Sequence, residues 1–328
     1  MLNNQVRLIV VTALAPGIWG TTYVVTTQLL PPGQPLLAAV VRALPAGLVL
    51  VAVARRLPHG SWWWRAAVLG TFNIGAFFAL LFVAAYRLPG GVAATVGAVQ
   101  PLLVAGLASR LVGERLSTRG LLAAVAGLGG VALLVLNADA RLDLVGVAAA
   151  FGGACAMATG VVLTKRWGRP APLLAMTGWQ LVAGGLLLAP LALAVEGMPP
   201  AALTATNLAG YLYLAVVGSA VAYPLWFRGI QALPVTGVTF LGLLSPLVAA
   251  GVGWLVLGQA FSPGQALGGL IVVAALVAAQ TGAPNLAPRP ASAARSSKLP
   301  GARHRLTHRS GTLDRPTQSA TQEAPRAR

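Results

Sequence analysis

The chain has 328 residues, of which 57% are hydrophobic and 9% charged, and its formal net charge is +17. A water-soluble domain carries about 25% charged residues, so this chain has too few to cover a surface in water. The positive excess would suit a nucleic-acid partner, but the positions of the cations point to a membrane instead.

Apolar runs of about 20 residues, enough to cross a hydrocarbon core, recur along the first 281 residues. They predict ten spans: 8–30, 36–54, 66–84, 92–112, 120–137, 144–163, 173–195, 208–227, 235–257 and 264–281. The opening "MLNNQVRLIVVTALA" has the basic start and A-x-A-like site of a signal peptide. Its apolar run continues through Trp19 to Leu30, so it is read as the first span. Turn chemistry fills the joints, as in "LPPGQP", "RRLPHGS", "YRLPGG" and "EGMPP". "SWWWR" at 61–65 reads as an interfacial aromatic belt. The lone cysteine, Cys155, sits within the sixth span and reads as packing. Small residues at four-residue spacing, Ala123/Gly127 and Gly264/Gly268, make spans five and ten close-packing scaffold or the seam of a homodimer. Residues 282–328 hold six prolines, nine Lys/Arg and two acids, the composition of a disordered basic tail.

The spans repeat. "VGAVQPLLVAGLASRLVGERLST" (96–118) and "LGLLSPLVAAGVGWLVLGQAFSP" (241–263) align without a gap at a shift of 145. Gly97/Gly242, Pro101/Pro246, Gly106/Gly251 and Gly113/Gly258 coincide, and the register runs back through Leu88-Pro89/Leu233-Pro234 to Phe82/Phe227. Shared glycines and prolines mark shared backbone geometry. The chain therefore divides into five-helix repeats at 8–137 and 144–281, followed by the tail at 282–328. An odd number of spans per repeat makes the second half enter the membrane from the opposite side. The fold expected is an all-α integral membrane protein of ten helices in two inverted repeats, an architecture of secondary transporters.

With the N-terminus inside, 20 cations fall on the inner side, Arg87 and Arg141 on the outer, and Arg42 within a span. The positive-inside rule accounts for that distribution and sets both termini in the cytoplasm, with the lipid bilayer rather than nucleic acid as the partner.

The motifs resemble those of the drug/metabolite transporter superfamily, in its ten-span group built from two EamA domains. They are "IWGTTYVV" in span one, Arg42 in span two, Pro101 followed thirteen residues later by Glu114 of "GERLS", and "GLLAAVAGLGGVALLVL" in span five. "YPLWFRGIQALP" and "SPLVAAGVGWLVLGQ" follow the same pattern in the second half. Gln259 departs from it where the family often has Glu. The resemblance implies a permease that exports a small metabolite, amino acid or drug.

Polar groups at span depth are the candidate substrate-binding residues. A charge at a helix centre costs about 2.5–3.5 kcal/mol even on insertion scales. Arg42 is therefore either a cavity cation for a carboxylate or phosphate, or a snorkelling residue near the outer surface. Its counterpart in span seven is Trp179 or Gln180. Asn73, Gln100, Gln180, Tyr223 and Ser245 would be unfavourable against lipid unless bonded. Gln100 and Ser245 each precede a repeat-equivalent proline, where the helix loses a donor. Trp19 and Trp179 begin or line the first spans of their halves and would serve as stacking walls. Glu114 reads as an interfacial partner of Arg110 or, more sharply, as a gate.

No Asp or Glu lies in the middle of any span, which disfavours a carboxylate-driven exporter of cationic drugs. A membrane enzyme would need an acid, base or nucleophile at its site. "GLGG" at 127–130 has no lysine after it and is no phosphate loop. His59, His304 and His308 all lie outside the spans, so neither a metal nor a cofactor is expected. A channel or a non-transporting sensor remains the alternative to a carrier.

Overall fold

The computed structural model describes residues 2–88, 90–115, 117–135, 143–199, 202–258 and 262–281. Gln259 and the basic tail, 282–328, lie outside the described residues, as does most of the 137–143 joint. The described residues form helices and turns and no strand. In chain order the first half gives α1 (Leu2–Leu29), α2 (Pro35–Ala54), α3 (Trp62–Gly70), a π-helical turn (Thr71–Gly75), α4 (Ala76–Arg87), α5 (Gly90–Gly97), α6 (Gln100–Leu111) and α7 (Thr118–Val135). The second half gives α8 (Leu144–Trp167), α9 (Leu173–Glu196), α10 (Ala205–Ala215), a second π turn (Val216–Val221), α11 (Ala222–Ala232), α12 (Val235–Leu241), α13 (Leu244–Leu257) and α14 (Pro263–Thr281).

Joined end to end, these make ten segments long and apolar enough to cross a membrane, each within a few residues of its predicted range. The third starts earlier than predicted, at Trp62, because the helix runs on through "WWWR". That splits the expected aromatic belt. Trp63 and Trp64 are exposed, while Trp62 is buried beside Trp179.

The shift of 145 read from the sequence recurs in the elements. The π turns begin at Thr71 and Val216, and the broken spans begin at Gly90 and Val235. Pro101 and Pro246 explain the second feature, since a proline lacks the N–H of a continuous helix. Both halves bridge the break with short i→i+3 turns: Ala98 N donates to Thr95 O, and Leu243 N to Phe240 O. Pro224 removes a donor in the same way just after the second π turn.

Lipid is as apolar as leucine, so helices in a membrane associate through close packing and internal hydrogen bonds. The exposed surface is accordingly Leu- and Val-rich, including Leu48, Val49, Leu121, Leu122, Leu255 and Leu270. Buried polar groups face inward: Thr12, Arg42, Asn73, Thr164, Thr177, Gln180, Ser219 and Thr239. α2 crosses α9 with Gly47 against the backbone of Val182 and Gly185 against Leu44. α7 and α14 pair tightly, as expected of spans five and ten, with the predicted Gly268 against Gly130 and the predicted Gly127 facing Ala275.

Helix ends are capped from the other half of the chain. The Glu196 carboxylate accepts from Leu36 N (2.6 Å) and Leu37 N (2.8 Å) at the start of α2. Asn207 completes a capping box with Thr204 and reaches Leu29 O at the end of α1.

Candidate functional site

The two π turns are each entered by side chains from the opposite half, and the two arrangements correspond. In the first, Asn73 Nδ2 donates to Gln180 Oε1 on α9 (2.8 Å) and to Thr164 Oγ1 on α8 (3.1 Å). Asn73 is 0% and Gln180 1% exposed, and Gly160 lies against the Asn73 side chain with no room for a Cβ. In the second, Gly218 O accepts from Trp19 Nε1 on α1 (3.0 Å) and from an Arg42 guanidinium nitrogen on α2 (3.1 Å). Arg42 Nε also donates to Ser219 Oγ at 3.3 Å. The shift of 145 carries Trp19 onto Thr164 and Asn73 onto Gly218. The α2–α9 crossing, in which Gly47 matches Gly185, carries Arg42 onto Gln180. One knot is neutral and sealed, and its counterpart holds a cation.

Arg42 is 8% exposed and its guanidinium points into the bundle, so it does not snorkel. The Phe78 ring lies under it at 5.1 Å, a favourable cation–π contact. Trp19 continues the wall, with Tyr223 at 5.1 Å and Trp226 edge-on at 5.4 Å between ring centroids. The buried Trp226 indole N–H has no hydrogen-bond partner among the described residues.

The eight sequence candidates thus fall into separate places. Trp19, Arg42 and Tyr223 form one aromatic, cationic cluster. Ser245 stands next to it, its carbonyl packed against Gly20 of α1. Gln100 is half-buried at the start of α6, at the equivalent helix break. Asn73 and Gln180 bond each other in the sealed knot. Trp179 sits apart, in a cluster with Trp62, Leu69 and Met176, its indole N–H bonded to Arg56 O at 2.8 Å. Thr164, Gly218, Ser219, Phe78 and Trp226 were not picked out from the sequence. For the first two the shift of 145 was the available signal, applied to Trp19 and Asn73.

The ends of the bundle differ. At the end bearing Arg55, Arg56, Lys165 and Arg169, α6 packs on α12 and α11 on α8. Here Glu114 does not pair with Arg110; its carboxylate caps α12, accepting from Val235 N (2.6 Å), Thr236 N (3.0 Å) and Thr236 Oγ1 (2.8 Å). Lys165 Nζ donates to Gln231 O (2.9 Å) and Leu233 O (2.8 Å) in the same corner. The corresponding contacts at the other end would be α5 with α13 and α4 with α1. Among the described residues neither pair makes more than a marginal contact. A Cβ built on Gly97, at the end of α5, would meet nothing within 4 Å.

Known proteins share this plan. The EamA-like transporter family matches residues 7–136 and again 144–279. Protein PecM of Dickeya dadantii is 49% identical over 268 residues, covering 81% of this chain and 90% of its own. A chloroplastic WAT1-related protein of Arabidopsis thaliana is 32% identical over 79% of this chain and 66% of its own. The uncharacterized transporter YwfM of Bacillus subtilis is 27% identical over 80% and 92%. One solved crystal structure superposes with a TM-score of 0.73 at 20% identity, over 84% of this chain and 98% of that one, a likeness of fold. The protein is a multi-pass membrane protein and belongs to the EamA-like transporter family.

Proposed function

We propose that the chain is a secondary permease of a cytoplasmic membrane, moving a small organic solute outward by alternating access about the Trp19–Arg42–Tyr223 cluster. Its two halves act as an inverted pair, and the end rich in Arg and Lys faces the cytoplasm, as the positive-inside rule requires. One observation carries the reading: elements equivalent under the repeat pack together at one end, where Glu114 joins them, and among the described residues make no more than marginal contact at the other. In an inverted pair, exchanging the two arrangements turns a site open to one side into a site open to the other. Curated relatives named as transporters support the same class of activity.

Counterflow in proteoliposomes tests it. Vesicles preloaded with a panel of unlabelled aromatic acids, amino acids and nucleosides are diluted into trace amounts of the labelled compounds. A carrier gives a transient, saturable overshoot for its substrate. Flux that rises linearly with concentration and shows no overshoot would make the protein a channel. Binding without any flux would make it a sensor.

A further inference from the structure

The geometry points to an organic anion, a carboxylate with a planar apolar body, as the solute class this site takes, with the Arg42 guanidinium as its counter-ion; this rests on the permease reading above. The molecule contains its own control. The Asn73–Thr164–Gln180 knot joins a π turn to the two equivalent helices with neutral side chains alone. The architecture therefore does not need a charge at Arg42, and a neutral amide would hold the Gly218 carbonyl equally well. A cation there is unfavourable unless something negative meets it. The sequence has no Asp or Glu within the middle of a span. Among the described residues its contacts are a carbonyl, a hydroxyl and the face of Phe78, all dipolar or quadrupolar and none a full negative charge. The missing charge is supplied by the solute. Trp19, Tyr223 and Phe78 around it favour a flat apolar body over a sugar-like one.

The charge balance has a consequence for energetics. Bound to a monovalent anion the site is neutral, and empty it is positive. An inside-negative membrane potential then favours return of the empty site toward the cytoplasm and drives net anion export.

The test uses the full chain and two probes of one shape, indole-3-carboxylate and indole-3-carboxamide. It compares wild type with Arg42→Gln, which installs the residue of the equivalent position, and with Arg42→Lys, which keeps the charge. Thermal shift reads binding by mass action. The carboxylate is expected to stabilise wild type and Arg42→Lys, and to bind Arg42→Gln about tenfold or more weakly, as loss of one charge-assisted bond implies. The carboxamide is expected to give no shift. In vesicles, a tenfold K⁺ gradient with valinomycin is expected to redistribute the carboxylate up to about tenfold. Equal binding of the two probes, an undiminished carboxylate preference in Arg42→Gln, or flux indifferent to potential overturns the anion assignment. Counterflow of neutral or cationic solutes alone would overturn it too while leaving the permease reading intact. Absence of both binding and counterflow across the panel removes both.

Discussion

Glu114 offers the sharpest perturbation. Its carboxylate joins the end of α6 to the first turn of α12 through two backbone N–H groups and one hydroxyl. These are orphan donors of a helix N-terminus, which favours negative charge. Removing a cap costs about 0.5–2 kcal/mol, and hydrogen bonds to a charged group lie near the upper end. Glu114 is half-exposed, so water recovers part of the loss. A net of about 1.4 kcal/mol corresponds to a roughly tenfold shift toward any state in which α6 and α12 separate. The assay places a cysteine at Val238, 1% exposed on α12, in a Cys155→Ser background. A membrane-impermeant maleimide is added from the side of the basic loops. Glu114→Ala is expected to raise the labelling rate about tenfold, and Glu114→Gln, which retains one acceptor oxygen, by less. An unchanged rate in Glu114→Ala, in protein shown to be folded, would refute the role of this carboxylate as a latch.

Glu196→Ala removes the same kind of cap at the other end of the bundle, from Leu36 and Leu37. It is expected to lower thermal stability by about 0.5–2 kcal/mol yet leave Val238→Cys labelling unchanged, as a differential scan beside the maleimide assay would report. Gly160→Ala drives a methyl into the Asn73 side chain, with an expected loss of about 1–3 kcal/mol visible as a lower Tm. Asn73→Ala strands Gln180 Oε1 in a sealed interior, and should cost about 1–3 kcal/mol without altering solute selectivity, since the knot is remote in role from Arg42.

Much of the fold was legible because membrane spanning imposes length and apolarity on each segment separately. Pro101 and Pro246 announced their helix breaks for the same local reason. The π turns carry no comparable signal, yet they decide where Arg42 and Asn73 go. Arg42 itself stood between snorkelling and facing the interior, because two turns of helix do not fix which way a long side chain bends. Its direction follows from Gly218 and Ser219, some 176 residues away along the chain. Trp19 and Trp179 looked alike as span-lining indoles, and they part because Trp179 lies nearer the basic loops, where Arg56 O captures its N–H. Of the two readings of Glu114, the pairing with Arg110 failed for a simple reason. A helix carried on past Leu111 would set Glu114 one turn from Arg110, but α6 stops there and Gly113 turns the chain with φ +73°, so the carboxylate meets Val235 and Thr236 of the other repeat.

The account rests on two ends that open and close reciprocally, and spin-label distances test this most directly. In a Cys155→Ser background, one pair of labels would sit at Arg110 and Ala232, near the capped end, and another at Ala93 and Leu255, near the open one. Double electron–electron resonance is expected to find two populations at each end in bilayers. Glu114→Ala should lengthen the first distance while shortening the second. A single unmoving distance at both ends, or two distances that lengthen together, would contradict alternating access.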